Sequence, residues 1–309
     1  MNAKKQKAIL LLAFGGADSL EDVEPFIKNV IAPREPSQEL LSDAKMRYTM
    51  IGGSSPLLHI TRVQALELRE LLLIDGKEDI NVYVGMRNWA PYIKDTIKEM
   101  KEDGVTEAVA VIMAPHQTPV ATGGYNKAVE EAIEELGGGI TVEFAKSFES
   151  SPNFNNAIME NMHTALTIFM DIRDKDKILY IYTAHSLPVP ALKDDPYVEL
   201  VTETVDSLNA KFTKFNSQIA YQSKGGGPVE WLGPTVEEAM EKAKEDGMEG
   251  VLVTAVGFVS DHVETMYDID ILYKQKARDL GLRFTRAKSL NTSAYFIKAL
   301  KESVAPYLY

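Results

Sequence analysis

The sequence predicts an α/β protein built on doubly wound parallel sheets. Five short and nearly continuous apolar runs end in glycine, proline or a polar turn, and amphipathic stretches separate them along the chain. Apolar runs of this length are typical of parallel strands that are covered on both faces. Because such strands alternate with helices, the sequence indicates successive βα units rather than a helical bundle or a sandwich.

Each predicted strand and helix follows from its own local pattern. The strand runs are residues 8–13, 82–85, 108–114, 178–183 and 251–256. In the helical stretches, apolar residues recur at three- and four-residue spacing, which places them on one face of a helix. These stretches are residues 57–73, 91–102, 125–136, 154–173, 196–211 and 235–245.

A weak internal repeat indicates two similar lobes. Lys101-Glu102-Asp103-Gly104 precedes one predicted strand, and Lys244-Glu245-Asp246-Gly247 precedes another. In both segments a helix C-terminus is closed by glycine before a buried strand, although any α/β protein contains several such junctions. We place the first lobe at residues 1–172 and the second at 173–309. The C-terminal segment 292–303 is a candidate for packing back on the first lobe.

The composition excludes several classes of protein. The chain has 309 residues, no cysteine and a net charge of −12 from 33 basic and 45 acidic side chains. Without cysteine there is no disulfide framework, thiolate zinc site, cysteine-ligated iron–sulfur cluster or cysteine nucleophile. A metal therefore has to be bound by nitrogen or oxygen. The acidic balance argues against nucleic acid as the main partner.

The N-terminal apolar run does not predict secretion. Residues 8–14 are too few for the hydrophobic region of a signal peptide, and acidic residues follow soon afterwards. No apolar stretch reaches the length of a transmembrane helix. We expect a cytoplasmic protein with no transmembrane segment and at most weak peripheral contact with a membrane.

Polar residues at the carboxyl ends of the predicted strands indicate a site. Three of the five histidines lie there, namely His116, His185 and His262. In open parallel sheets ligands bind beyond these strand ends, so the clustering points to one binding region. The signatures of phosphate loops, of serine hydrolases and of zinc deaminases are all incomplete, and the last of these needs cysteine.

A row of acids, Asp261, Glu264 and Asp268, has spacings of three and four residues and would share one helix face. Acids that favour the helix dipole explain Asp261 alone, whereas the whole row also suits a charged path. Glu264 lies among apolar residues, which predicts a raised pKa and a carboxyl group that accepts protons near neutral pH. His185 is either a satisfied core residue or the partner of Glu264 in handling a divalent metal and protons.

The long irregular loop at residues 222–234 contains Trp231, one of two tryptophans in the chain. Aromatic residues in such loops commonly pack locally. They also provide flat walls for flat ligands. The residues alone leave both roles open.

Several blocks of sequence together resemble the signature blocks of the ferrochelatases. They are Arg47-Tyr48 with residues 51–57, residues 184–188, Gln222-Ser223-Lys224 with residues 231–234, and residues 256–268. The resemblance runs over essentially the whole chain. Because all the blocks occur in order, it is highly specific.

The resemblance implies a chelatase-like fold of two Rossmann-like lobes around a porphyrin cleft. It implies an enzyme of haem biosynthesis, a metal-inserting lyase that inserts Fe²⁺ into a porphyrin and releases two protons. His185 and Glu264 match the family's metal-site histidine and facing carboxylate, and Asp268 matches the next carboxylate along an unusual helix. The matching porphyrin contacts are Phe14, Arg47, Tyr48, Ser55 and Tyr125, to which we add Trp231. No cofactor or iron–sulfur cluster is implied, the partners are porphyrin and ferrous iron as substrates, and we expect a monomer.

Three positions depart from the family pattern. Phe14 stands where some members have tyrosine, and a phenyl ring cannot ligate a metal. Leu272 replaces a third acid seen in part of the family, with Asp270 nearby. Ile31 aligns roughly with an arginine that meets a propionate, and Arg34 lies one turn away. These changes leave the central pair intact and bear on which porphyrin is used.

Alternatives stay open at this point. One is a carrier that binds haem or porphyrin without turnover. Another is a chelatase of different metal preference, such as cobalt, because histidine and carboxylate ligands do not separate Fe²⁺ from Co²⁺ or Zn²⁺ by affinity alone. The residues do not decide between coproporphyrin III and protoporphyrin IX, although the short chain and Tyr125 favour the four-propionate ring.

Overall fold

The computed structural model describes residues 6–211 and 216–308. In this part of the chain, eight strands form two four-stranded sheets, and every strand pair is parallel. The strands are β1 (Gln6–Ala13), β2 (Asn81–Met86), β3 (Val105–Ile112), β4 (Thr141–Phe144), β5 (Ile178–His185), β6 (Asn216–Gln222), β7 (Gly250–Ala255) and β8 (Arg283–Ala287). The strand orders are β2-β1-β3-β4 and β6-β5-β7-β8. The two sheets therefore share one topology, and the predicted parallel α/β class is confirmed.

Helices connect the strands and cover both sheets. They are α1 (Val23–Ile31), α2 (Gln38–Met50), α3 (Leu57–Ile74), α4 (Ile93–Glu102), α5 (Pro119–Glu135), α6 (Pro152–Leu166), α7 (Tyr197–Asn209), α8 (Val236–Glu245), α9 (Lys274–Asp279) and α10 (Ala294–Val304). A π-helix, Glu264–Tyr273, runs directly into α9. Among the residues that the structure describes, no helix is both long and apolar enough to cross a membrane.

Capping residues explain where several helices begin. Thr118 accepts a hydrogen bond from a backbone N–H at the start of α5, and Pro119 occupies its first turn. Ser151 and Pro152 do the same for α6, and Thr235 forms a capping box at α8. Side-chain oxygens at these positions satisfy N–H groups that have no partner inside the helix. For this reason α5 begins at Pro119, six residues before its predicted start.

The sequence analysis found the central strands and missed three strands at sheet edges. The missed strands are β4, β6 and β8. In β4 no side chain is fully buried, and β8 has only one buried residue. Because an edge strand has a partner on one side only, its sequence keeps polar residues and lacks a continuous apolar run.

One large hydrophobic core joins the two sheets. It contains Leu11 and Val111 from the first sheet, Tyr182 and Leu252 from the second, and Phe296 from α10. Each sheet also has a smaller hydrophobic cluster on its other face, one for the first sheet and one for the second. Burying a large apolar side chain contributes about 1.5–3 kcal/mol, so the shared core strongly favours a fixed arrangement of the two sheets.

Two helices cross between the sheets. Helix α6 precedes β5 in the chain but packs against β7 and β8 of the second sheet, whereas α10 packs against α6 and also against α3 and β3 of the first. The lobe boundary at residue 172 stays a prediction. The predicted outer limits, residues 1 and 309, lie outside the described residues.

His116 forms a hydrogen bond between the first sheet and a helix of the second. Its Nε2 lies 3.0 Å from Oγ1 of Thr204 in α7. The Thr204 hydroxyl donates to the Leu200 carbonyl, so it accepts from Nε2–H of His116. Within the described structure, Nδ1 of His116 is buried without a hydrogen-bond partner. Burial lowers the pKa of His116 to about 4, so the imidazole is neutral at physiological pH.

We expect His116 to make the protein less stable as the pH falls from its ordinary pKa of 6.5 towards 4. In this range the unfolded chain binds a proton on the imidazole, whereas the folded chain does not. The free energy of unfolding therefore decreases by up to roughly 3 kcal/mol on acidification. Urea denaturation of the wild type and of His116→Gln at several pH values measures this effect.

His116→Gln serves as the control, because its amide can still donate a hydrogen bond to Thr204 but does not titrate. It therefore separates the effect of protonation from the loss of the hydrogen bond. The stability of the wild type relative to His116→Gln should fall progressively below pH 6.5. A difference that stays constant down to pH 4 would contradict a buried neutral histidine.

Candidate active site

A cavity of about 590 Å³ lies at the carboxyl ends of strands from both sheets. Small-molecule sites typically have volumes of roughly 300–1,000 Å³. One wall comes from α2, α5 and the segments that follow β1, β2 and β3, and the other from the segments that follow β5, β6 and β7. In each sheet the strand order reverses between the first and third strands, which is where open α/β sheets bind ligands. The cavity lies at both of these points.

A close backbone contact in the second sheet brings the central pair together. β5 ends at His185, and Gly257 follows β7. A Cβ atom on Gly257 would lie 2.9 Å from the Cα of Ala184, so any other residue would force the backbones apart. The segment that begins at Gly257 therefore lies against the end of β5. It places Glu264 beside His185.

Glu264 lies between two histidines. Its Oε1 is 3.7 Å from Nε2 of His185, and its Oε2 is 3.5 Å from Nε2 of His262. Nδ1 of His185 lies 2.6 Å from the Ser186 carbonyl, and Nδ1 of His262 lies 3.1 Å from the Ser260 carbonyl. A carbonyl can only accept, so Nδ1 carries the proton in each ring. In each ring Nε2 therefore faces the carboxylate, with a lone pair when the ring is neutral and as an N–H donor when it is protonated.

These histidines reverse the pKa shift predicted for Glu264. Burial favours a raised pKa, as the apolar neighbours indicate, but the charges of His185 and His262 outweigh burial and lower the pKa of Glu264. For His185, burial favours a lowered pKa, but the Glu264 carboxylate raises it overall. The prediction for Glu264 was wrong because a local pattern does not show which bases the fold brings near. His185 is the more basic partner of the pair.

The predicted row of three acids is divided in the structure. Asp261 precedes the π-helix and binds Arg286 of β8 at 2.6 Å. The same guanidinium makes two further hydrogen bonds, of 2.8 and 2.9 Å, to the carboxylate of Asp270. Asp261 therefore belongs to an ion-pair cluster outside the cavity lining. Asp270 is paired as well, so it does not replace the acid that is absent at Leu272.

Asp268 is a buried residue of the π-helix and does not line the cavity. The Ser223 hydroxyl donates to it at 2.6 Å, and a guanidinium nitrogen of Arg47 lies at 3.4 Å. Burial raises the pKa of Asp268 to about 6. In residues 6–211 and 216–308, no group of three or more histidine or acidic side chains is arranged to bind a metal ion. His185, Glu264 and Asp268 thus do not form a preformed set of three ligands.

Two residues at the end of β6, Gln222 and Ser223, position the π-helix. The Gln222 amide accepts from Thr183 at 2.7 Å and donates to the backbone carbonyl of Glu264 at 3.2 Å. Ser223 has a φ of 59°, which is unusual for a residue with a side chain, and it donates to Asp268. The sequence analysis used both residues only as part of a block. Their position at the carboxyl end of a strand is the signal that could have found them, but that strand, β6, was itself missed.

His262 was likewise absent from the predicted site residues. The sequence shows that His262 follows a predicted strand and precedes Glu264 by two residues. Without cysteine, however, it matched no complete motif. Only the distance of 3.5 Å to Glu264 identifies it as part of the site.

Most of the predicted porphyrin contacts line the cavity. They are Phe14, Arg47, Tyr48, Ser55 and Tyr125. Phe14 is 43% exposed and packs its edge against another aromatic ring of the same wall. Tyr48 is buried, and its hydroxyl accepts from a backbone N–H at 3.0 Å. These side chains form an apolar wall with a few polar groups.

Trp231 does not line the cavity. Its indole ring packs against Gly225, where a Cβ atom would lie 2.5 Å from the ring. Gly225 itself lines the cavity. Of the two roles left open for this tryptophan, the structure favours local packing that supports the loop from behind.

Comparisons with known proteins agree with this geometry. The family model for ferrochelatase matches residues 6–307. The chain is 36% identical to a ferrochelatase of Thermus thermophilus, over 96% of this chain and 98% of the relative. It is 35% identical to a coproporphyrin III ferrochelatase of Halalkalibacterium halodurans, over 96% of each.

A solved structure shows a similar fold at low sequence identity. The sirohydrochlorin chelatase SirB from Bacillus subtilis subspecies spizizenii, determined in complex with cobalt, superposes with a TM-score of 0.57. The two proteins are 11% identical, and the match covers 97% of this chain and 94% of the other. The chelatase-like arrangement of two lobes is therefore confirmed.

We expect Arg286→Met to destabilise the protein by about 2–4 kcal/mol, because it leaves Asp261 and Asp270 without their counter-ion. The Arg286 side chain is only 11% exposed. Arg283 of the same strand is the matched control. Its side chain is 41% exposed and binds one surface acid, so Arg283→Met should cost less than about 1 kcal/mol. Equal unfolding midpoints for the two variants would show that the Arg286 cluster does not stabilise this end of the sheet.

Proposed function

We propose that this chain, which belongs to the ferrochelatase family, inserts ferrous iron into a porphyrin in haem biosynthesis and releases two protons. One observation carries the proposal. His185 and Glu264 face each other at 3.7 Å in a cavity large enough for a small-molecule ligand, with walls from both sheets. In reaction class the enzyme is a lyase. A monomeric state, a cytoplasmic location and independence from a resident cofactor complete the proposal.

Metal insertion requires a base for the pyrrole protons. The neutral His185 ring has its Nδ1 proton bound to a carbonyl, so Nε2 offers a lone pair to an incoming N–H. The resulting imidazolium is stabilised by the Glu264 carboxylate, which stays ionised because its pKa is lowered. His262 presents a second Nε2 to the same carboxylate. Two imidazole nitrogens thus lie close to one anion, in a reaction that releases two protons.

Metal insertion also requires ligands that replace the water around Fe²⁺. Imidazole nitrogen and carboxylate oxygen are suitable ligands for Fe²⁺. Glu264 supplies anionic oxygen, and His185 supplies nitrogen whenever it is unprotonated. Asp268 lies one π-helical turn further on, and we place it on the path of protons or metal away from this pair. Its hydrogen bond to Ser223 and its contact with Arg47 keep its carboxylate oriented towards the inside of the lobe.

The cavity suits a flat apolar ring with anionic substituents. Its charged lining consists of three cations, Arg47, Arg87 and Lys224, against the two carboxylates of Asp43 and Glu264. In a chain with a net charge of −12, this local excess of cations favours a ligand that carries carboxylates. One relative is named ferrochelatase, with no porphyrin specified, and the other coproporphyrin III ferrochelatase, and their identities to this chain are nearly equal. We therefore base the preference for a four-propionate porphyrin on the cavity and on the chain's own residues.

Removing either member of the central pair should abolish most of the activity. We expect His185→Ala and Glu264→Gln each to lower kcat for iron insertion by about 10²-fold or more, since general acid–base groups contribute 10²–10⁴-fold. Anaerobic turnover, followed by the loss of free-porphyrin fluorescence, measures kcat. Fluorescence titration without iron should show porphyrin binding within about threefold of the wild type, because the aromatic wall and the lining cations of the cavity stay in place.

His59→Ala and Glu67→Gln on the exposed face of α3 are the matched controls. Both should retain wild-type turnover. Near-wild-type iron insertion by either variant of the central pair would show that the assignment is wrong, whereas binding without turnover in the wild type would identify a carrier.

The cavity also predicts which porphyrin is preferred. We expect kcat/KM to be higher for coproporphyrin III than for protoporphyrin IX, because the former carries two more carboxylates into a cation-rich cavity. Parallel turnover of both rings at matched ionic strength measures the ratio. A ratio below one would contradict the four-propionate assignment while leaving the iron insertion itself intact.

A further inference from the structure

Arg87 has so far entered only as one of three cations that line the cavity, with no contact of its own assigned. Arg87 directly follows β2, is exposed, and lines both the main cavity and a neighbouring groove of about 170 Å³. Among the described residues, no acidic side chain forms an ion pair with it. Its guanidinium therefore lies between the cavity and the groove, and no acidic side chain of the described residues compensates its charge.

A glycine in α5 makes room for this guanidinium. A Cβ atom on Gly124 would lie 2.3 Å from Cζ of Arg87 and 2.4 and 2.6 Å from its two terminal nitrogens. The guanidinium thus occupies the space of a missing side chain, with Cζ 5.7 Å from the ring centre of Tyr125. Glycine inside a helix is destabilising relative to alanine, so its presence calls for a local reason. Accommodating Arg87 supplies one.

The surroundings show which side of Arg87 is open to an anion. On the groove side, the other charged residues are Glu131, Glu135 and Lys94, and their sum of one negative charge disfavours an anionic ligand. On the cavity side lies Tyr125, which also lines the cavity and carries no charge. A guanidinium with free N–H groups binds a carboxylate through two parallel hydrogen bonds.

We infer that Arg87, accommodated by Gly124, binds a peripheral carboxylate of the porphyrin. The inference rests on the proposed function, because it takes a porphyrin to be the occupant of the cavity. It adds a second anion-binding position on the first lobe, separate from Arg47, which is partly engaged by Asp268. Arg87 acts in binding and selection of the ring and takes no part in the proton or metal steps.

Removal of the guanidinium tests the inference directly. For Arg87→Ala we expect the Kd of coproporphyrin III, measured by fluorescence titration without iron, to rise about five- to thirtyfold, as expected for losing charge-assisted hydrogen bonds at a partly exposed site. KM should rise in parallel, with kcat within about twofold of the wild type. Arg87→Lys should fall between the two, because an ammonium keeps the charge but not the paired geometry.

The two adjacent glycines of α5 provide a second, independent test. Gly124→Ala should displace the guanidinium and raise the Kd of coproporphyrin III, without loss of thermal stability, because alanine favours the helix. Gly123→Ala is the matched control. A Cβ atom there meets nothing within 4 Å, so this variant should bind the porphyrin as the wild type does. In Arg87→Ala/Gly124→Ala the two effects should not add, because both variants remove the same contact.

Titration with protoporphyrin IX locates the carboxylate. A parallel loss of affinity for both rings places Arg87 at a propionate they share, and a loss confined to coproporphyrin III places it at one that only the latter carries. An unchanged Kd for both rings in Arg87→Ala, or fully additive effects of the two variants, would overturn the inference. Because binding is measured without iron, these results remain readable even if the wild type fails to insert the metal, which would count against the proposed function alone.

Discussion

The close approach of Gly257 to the end of β5 is the constraint on which the chemistry of this protein depends. At this contact Gly257, which has no side chain, lies against the Cα of Ala184. Ala184 is itself fully buried, so its backbone cannot shift away. Because of it, a segment that follows β7 runs beside the strand that ends in His185. Gln222, the last residue of β6, holds the same segment through a hydrogen bond to the backbone carbonyl of Glu264. Three neighbouring strands thereby contribute to one site.

Charge compensation decides which acids of this region are available to a ligand. An uncompensated buried carboxylate is costly, and each acid here has its own partner. Arg286 binds Asp261 and Asp270, while Ser223 and Arg47 contact Asp268. Among the described residues, Glu264 is compensated only by histidines, whose charge depends on protonation. It is therefore the acid whose surroundings change when a proton or a metal ion arrives.

The two sheets have the same topology but contribute different chemistry. The second sheet supplies His185, His262 and Glu264, whereas the first supplies an apolar wall, His116 and the cations Arg47 and Arg87. The shared hydrophobic core, together with the crossing of α6 and α10, stabilises the two walls in one relative position. A flat ligand held by its edge substituents on one lobe would thus be presented to the bases of the other. Under the proposed function, binding and proton transfer are assigned to separate sets of residues, so the two steps should be separable by mutation.

The sequence by itself determined the parallel α/β class, the central strands, the family, and His185 and Glu264 as the central pair. All of these follow from local patterns. A strand covered on both faces needs a continuous apolar run, and the signature blocks of a family consist of consecutive residues. The edge strands β4, β6 and β8 were not predicted, because a half-exposed strand does not need a continuous apolar run. The tertiary structure alone decided the lowered pKa of Glu264, the packing of Trp231 against Gly225 and the room that Gly124 leaves for Arg87. Each of these depends on distances between side chains that are brought together by folding, and electrostatic and steric effects are set by those distances rather than by neighbours along the chain.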